Sequence, residues 1–304
     1  MTAPTQPVIG FIGLGAMGWP MASCLLKAGH TVAPYDVRKD QVDRFLAEVG
    51  GTRVASLAEL GKVADVVVTI LPTSAIVEKV LFAPDGVAGG LRKGSIVIDM
   101  TSGIPGETVR FAEQLAAQGV TLFDAPVSGG VPRAKSGTLT IMAGGDAAAI
   151  DATQSILAAM GSVIRTGKTG SGHAMKALNN LVSAGGFLIG IEAMLIGAKF
   201  GIDEGTMVDI LNVSTGMNNS TQKKFKQNVM SRKFDSGFSI ELMVKDLSIA
   251  MEVARSGGVS TPFAAMCREM WAGASVMLGP KADHTAVAQL SEKLAGLELH
   301  DKNG

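Results

Sequence analysis

In the segment Gly170–Asn180, GSGHAMKALNN, one cation and two amides interrupt a run of small and aliphatic residues. Lys176, Asn179 and Asn180 are spaced i, i+3, i+4, so on a helix they share one face. Leu181, Val182, Ala184 and the aliphatic residues beyond them mark that helix as largely buried. A helical lysine usually snorkels to water, and one held out of water is costly unless it is paired or used. Burial disfavours the ammonium and lowers its pKa. A lysine so tuned can take the proton of a hydroxyl, or return one to a forming alkoxide. Asn180, one turn on, can orient the lysine or that hydroxyl. Asn179 either holds the helix or touches a bound molecule. Ordinary interhelix hydrogen bonding is the plain alternative for both amides.

A second constellation lies at the start of the chain. VIGFIGLGAMGWPMA contains Gly13-Leu14-Gly15-Ala16-Met17-Gly18, a GxGxxG that follows a strand pattern and opens a helix pattern. Asp36 ends the next strand pattern, 23 residues past Gly13. That is the context of the dinucleotide fingerprint. Gly13 makes the tight turn, Gly15 lets the backbone approach a pyrophosphate, and Gly18 lets the helix close on the sheet. The helix N-terminus offers free N–H groups and a positive dipole end to the phosphates. Asp36 would accept from a ribose 2′-hydroxyl and repel a 2′-phosphate, which favours NAD. Arg38 could neutralise that repulsion or bind a phosphate, so NADP stays open. Asp36 could also cap a helix N-terminus.

The elements that must carry these groups change character along the chain. Strand patterns at Val8–Ile12, Thr31–Tyr35, Val66–Ile70, Ser95–Asp99, Thr121–Asp124, Leu139–Ala143 and Ser162–Thr166 alternate with helix patterns. Those helices are Ala16–Ala28, Lys39–Glu48, Ser74–Phe82, Pro105–Gln118 and Ala147–Met160. Near-continuous apolar strands separated by helices mean a doubly wound parallel sheet of Rossmann type. Beyond the break TGKTGSG only helical periods follow, beginning with a long helix from about Gly172 to Phe200. The fold class is therefore α/β, a dinucleotide-binding sheet domain over 1–167 followed by an all-helical domain over 168–304.

Composition excludes several function classes. The 304 residues carry 27 basic and 27 acidic side chains with no basic block, which argues against nucleic-acid binding. Two distant cysteines, Cys24 and Cys267, and four scattered histidines supply no disulfide framework and no metal-ligand set. The N-terminus has no basic region followed by an apolar core. The Ala/Gly-rich stretch from Leu181 to Phe200 carries Glu192 and Lys199 and reads as a core helix rather than a membrane span. A cytoplasmic location is the default expectation.

Four segments in order resemble the β-hydroxyacid dehydrogenase family, the group of 3-hydroxyisobutyrate dehydrogenase and tartronate semialdehyde (2-hydroxy-3-oxopropionate) reductase. They are FIGLGAMGWPMA, with Cys24 shortly after it where an Asn is more usual; DAPVSGG (Asp124–Gly130) followed by GTLTIMAGG; GSGHAMKALNN; and KDLSIAMEVA from Lys245. The resemblance covers nearly the whole chain. It implies a Rossmann domain plus a helical domain, a homodimer or homotetramer through the helical half, and reversible NAD(P)-linked oxidation of a short 3-hydroxy acid. It makes Lys176 the catalytic lysine with Asn180 beside it. Ser128, Gly129 and Gly130 become the donors for a substrate carboxylate, with Asn179 near the substrate. Lys245, Leu71-Pro72 and the hydroxyls of Thr101 and Ser102 fall beside the cofactor. The order Thr101-Ser102 is inverted relative to the family's D-x-S-T-x-x-P. Arg133 replaces a commoner small residue and is either a surface charge or a change in substrate recognition.

His173, one turn before Lys176, is expected at a solvent-facing helix start, with a second acid/base role as the alternative. Met217 and Phe238 are candidates to line a pocket, and GMNNSTQKKFKQNVM reads as a loop entering a helix. A reductase of tartronate semialdehyde or a related aldehyde acid is the close alternative function. Imine reductases and non-catalytic relatives typically lack the lysine, so Lys176 speaks against both.

Overall fold

The computed structural model describes residues 6–300. Two compact units emerge, Met1–Lys176 and Ala177–Gly304. The first holds one eight-stranded sheet: β1 (Val8–Ile12), β2 (Thr31–Tyr35), β3 (Val66–Thr69), β4 (Ile96–Asp99), β5 (Thr121–Asp124), β6 (Val127–Ser128), β7 (Leu139–Gly144) and β8 (Gly161–Gly167). Their order is β2-β1-β3-β4-β5-β7-β6, with β8 also on β7.

Side chains alternate across a strand, and here both faces are covered. Ile9, Phe11, Val68, Ile98 and Phe123 enter one core cluster, while Ile12, Val67, Val97 and Leu122 enter the other. That double burial is why these strands read as continuous apolar runs. β2, β1, β3, β4 and β5 are parallel. β7 then runs antiparallel to β5 and β6, and β8 parallel to β7. The chain leaves β1 for β2 and returns to β3 on the other side of β1, so the strand order reverses at the carboxyl ends of β1 and β3. Ligands of such sheets bind at that point.

The second unit is built from helices: the continuing part of Ser171–Phe200, then Glu204–Asn212, Asn219–Lys223, Ile240–Ser256, Pro262–Leu278 and Ala288–Ala295. A π-helical turn spans Phe225–Met230. Among the described residues of this unit the sole β feature is an isolated bridge, Ser239 to Asp283. Ala184, Phe187, Ile191, Met194 and Leu195 from the long helix join Phe225, Leu247 and Trp271 in one core cluster. By length and composition Ser171–Phe200 could cross a membrane, but half of its most apolar window is buried in this core.

Candidate active site

The turn after β1 shows why each of its three glycines stands where it does. Gly13 has φ +105°, and a Cβ there would come within 2.4 Å of the Ile70 carbonyl oxygen. A Cβ on Gly18 would fall 1.8 Å from the Gly13 carbonyl oxygen, so the helix Gly18–Lys27 can approach only with glycine. A Cβ on Gly15 would meet nothing within 4 Å. The turn is closed on its protein side and open over Gly15, as close approach of a pyrophosphate requires. First-turn N–H groups lack intrahelical partners and face a negative ligand favourably. The residues present therefore fit a dinucleotide.

Asp36, just past β2, is tied to this turn. Its carboxylate accepts the Leu14 N–H at 2.8 Å and the Arg38 N–H at 2.9 Å. Gln41 adds a bond from its side-chain amide to the Leu14 carbonyl at 2.9 Å. The Arg38 side chain is largely exposed, with Nε 3.7 Å from the Asp36 carboxylate.

At the ends of β3 and β4 the residues divide. Thr101 is fully buried and its hydroxyl accepts the Leu71 N–H at 3.1 Å, so it holds the loop after β3. Ser102 is half-buried and Pro72 exposed. Asp99 is buried and accepts the Thr69 hydroxyl at 2.9 Å and the Thr101 N–H at 3.1 Å. Ser128 ends β6, and Gly129 and Gly130 have φ +131° and +67°. A Cβ on Gly129 would lie within 2.7 Å of Arg133 Cδ, because the exposed Arg133 side chain folds over this turn.

Asp124, at the end of β5, fixes the start of the long helix. Its buried carboxylate accepts the Gly170 N–H at 2.6 Å and the His173 N–H at 2.7 Å. Burial pushes its pKa up, against the opposing pull of His173 and those two N–H donors. His173 departs from its expected solvent exposure: it is 1% exposed. Its Nδ1 lies 2.7 Å from the Thr108 hydroxyl and its Nε2 3.9 Å from Asp99. The cause is Asp124, which draws the helix N-terminus onto the sheet so that its first turn is buried.

Lys176 is half-buried, and on the continuous helix Asn180 follows it by one turn. In the helical unit the Asn179 amide donates to the Asn180 side-chain oxygen at 3.1 Å. The Asn180 amide donates to Asp246 at 2.5 Å. Asp246 is buried, and Lys245 Nζ sits 3.3 Å from its carboxylate. Sequence reasoning singled out Lys245 and passed over Asp246; the KDL segment was the available signal. Met217 is exposed, and Phe238 packs edge-on against His284. The segment read as a loop entering a helix holds Asn218 as the N-cap of Asn219–Lys223.

The chain is similar to known proteins along most of its length. Residues 8–170 match the family described as the NAD-binding domain of 6-phosphogluconate dehydrogenase. Residues 170–291 match the NAD-binding family of NADP-dependent 3-hydroxyisobutyrate dehydrogenase. Among similar proteins, 2-(hydroxymethyl)glutarate dehydrogenase of Eubacterium barkeri is 36% identical over 96% of this chain and 97% of its own. L-threonate dehydrogenase of Cupriavidus necator is 35% identical over 97% and 98%. The solved 3-hydroxyisobutyrate dehydrogenase of Mycobacterium tuberculosis with L-serine superposes with a TM-score of 0.86 at 29% identity, covering 94% of this chain and 99% of that one.

Proposed function

This chain belongs to the 3-hydroxyisobutyrate dehydrogenase family of NAD(P)-binding oxidoreductases, and we propose that it oxidises a small 3-hydroxy acid to the matching aldehyde acid. The observation that carries the reading is Lys176 on the continuous helix, one turn ahead of an Asn180 fixed by buried Asp246. The bound nicotinamide cofactor supplies the hydride acceptor. Lys176 takes the hydroxyl proton as the C–H bond gives up its hydride, and returns it in the reverse direction. Asn180 donates to the reacting oxygen through the N–H that Asp246 leaves over. Ser128 and the backbone of Gly129 and Gly130 hold the substrate carboxylate, with Asn179 near the substrate.

For the cofactor, the six residues from Gly13 to Gly18 carry the pyrophosphate. Leu71, Pro72, Ser102 and Lys245 would flank the nicotinamide half, and Thr101 would hold the Leu71 loop through its hydroxyl. The Asp36 carboxylate keeps lone pairs beyond its two N–H bonds, which supports NAD over NADP, while Arg38 moderates the preference. The exposed side chains of Val182, Ile189 and Ile196 recur every seven residues along the long helix. That stripe supports a homodimer or homotetramer through the helical half.

Steady-state assays with NAD and NADP test the reading. The panel is 3-hydroxyisobutyrate, 3-hydroxypropionate, glycerate, serine, threonate and β-phenylserine at alkaline pH. Cofactor reduction by one of these acids is expected. Tight cofactor binding with no turnover across the panel and across tartronate semialdehyde would overturn it. Reduction of tartronate semialdehyde alone would favour the reductase alternative.

A further inference from the structure

The helical unit holds a cation that the proposed chemistry does not use. Lys224 follows the short helix Asn219–Lys223 and is half-buried. Its Nζ lies 3.4 Å from the Ser183 hydroxyl and 5.9 Å from the centre of the Phe187 ring. No carboxylate among the described residues lies within ion-pairing distance of it. Asp283 contributes a field from further off, and its own oxygens are taken by the Ser236 hydroxyl, the Gly237 N–H and Thr285. Burial lowers the Lys224 ammonium to about 8, with Asp283 only partly opposing. A cation drawn out of water without a carboxylate against it costs stability. Such groups persist where an anion repays the cost.

The space for that anion is next to it. A cavity of about 150 Å³ is lined by Asn179, Ser183, Asn218, Asn219 and Ser220, together with Val182 and Gly186. Amide and hydroxyl groups stand in its wall beside the apolar surface of Val182. Ser220 is 1% exposed, yet its hydroxyl has no hydrogen-bond partner among the described residues. Ser183 stands between the cavity and the ammonium, so a group bound there meets a hydroxyl already polarised by a cation. Asn179, Ser183 and Gly186 form one stripe of the helix that carries Lys176. Ser183 lies two turns past Lys176, about 10 Å along the axis.

We propose that this cavity is a subsite for a second anionic group of the substrate, a carboxylate on a short carbon arm, held by Ser183, Asn218 and Lys224. The proposal rests on the hydroxy-acid reading above and narrows it to acids with a charge at each end. The first carboxylate and the hydroxyl would engage the residues already described. The second carboxylate would settle in the cavity, accept from the Ser183 hydroxyl and be held by the Lys224 charge behind it.

The test compares two acids with the same reacting end, 2-(hydroxymethyl)glutarate and 2-(hydroxymethyl)pentanoate, whose arms differ in a terminal carboxylate. The readout is the ratio of their kcat/KM values on one protein, so a general loss of activity cancels. The native chain should favour the dicarboxylate by roughly tenfold or more. Lys224→Met and Lys224→Gln should bring the ratio close to one, and Lys224→Arg should restore part of it. Millimolar glutarate should raise the Tm of the native chain and not that of Lys224→Met. An unchanged ratio in Lys224→Met, or no preference in the native chain, overturns the subsite. Turnover of neither acid, together with no turnover across the panel and tartronate semialdehyde, overturns the hydroxy-acid reading instead. The glutarate shift then decides the subsite by itself: dependence on Lys224 sustains it, and absence of a shift ends it.

Discussion

The Asn180 side-chain amide donates to the Asp246 carboxylate across 2.5 Å, with both residues buried and 66 positions apart. One N–H of Asn180 is thereby committed, its oxygen receives Asn179, and its second N–H is left with a fixed direction. A charge-assisted bond of this kind holds orientation better than a neutral one. Asp246→Asn keeps the shape and weakens the hold. Its kcat should fall roughly tenfold, with a smaller change in NADH affinity. Asp246→Ala should cost more. A fluorescence titration of NADH beside steady-state kinetics separates the two effects. An unchanged kcat in both variants would leave Asp246 as a packing residue.

Lys176→Ala removes the proposed proton acceptor and leaves the Gly13–Gly18 turn untouched. Turnover should drop roughly 10²-fold or more, while cofactor affinity stays close to that of the native chain. Near-native turnover would take Lys176 out of the reaction.

Much of this was legible in local sequence, and what was not has a common cause. The strands showed because both of their faces are apolar, and the Gly13–Gly18 turn because Gly13 and Gly18 answer backbone demands. β6 has only two residues, too few to display a period. The helix Gly130–Lys135 contains Pro132 and opens on glycine, so no helical period marks it. His173 looked exposed because its local pattern says nothing of Asp124, 49 positions earlier, which buries the helix start. Asp246 drew no role because its partner Asn180 lies 66 positions away in sequence. Period and spacing report neighbours within a few residues, whereas these groups are defined by partners dozens of residues away.

Asp36 is tied to the glycine turn and is the proposed acceptor for the ribose, which shapes what its loss should do. Asp36→Ala should weaken NAD by more than it weakens NADP, because the ribose acceptor and the repulsion of a 2′-phosphate vanish at once. Losing the bonds to the Leu14 and Arg38 N–H groups should also lower affinity for both cofactors. KM values for NAD and NADP, measured on the same substrate, give the comparison. A larger loss for NADP would make Arg38 the selecting residue.

His284 carries a prediction about acid stability. It is packed against Trp271, Phe187 and Phe238. Burial first, and the Lys224 charge second, lowers its pKa from 6.5 to about 4, with Asp283 and the Phe238 carbonyl opposing. Between those values the unfolded chain binds a proton that the folded chain refuses. The stability from neutral His284 is therefore complete above 6.5 and lost as pH falls toward 4. The loss is on the order of 3 kcal/mol. Urea unfolding at several pH values across that window should show the slope, and His284→Gln should flatten it. The same slope in that variant would assign the acid sensitivity to carboxylates.

The exposed stripe of the long helix makes the assembly testable without any substrate. Ile189 and Ile196 are 55% and 72% exposed and lie seven residues apart. Exposed aliphatic side chains repeated at that spacing form a seam suited to a second helix. Ile189→Glu with Ile196→Glu places two like charges on that seam, and neither side chain belongs to the core cluster of the helical unit. Light scattering should find the native chain at twice or four times its chain mass and the double variant smaller, with an unchanged circular dichroism spectrum. An unchanged mass would move the contact to another face. The Phe263 and Met266 side chains, exposed on the helix Pro262–Leu278, would then be the next to substitute.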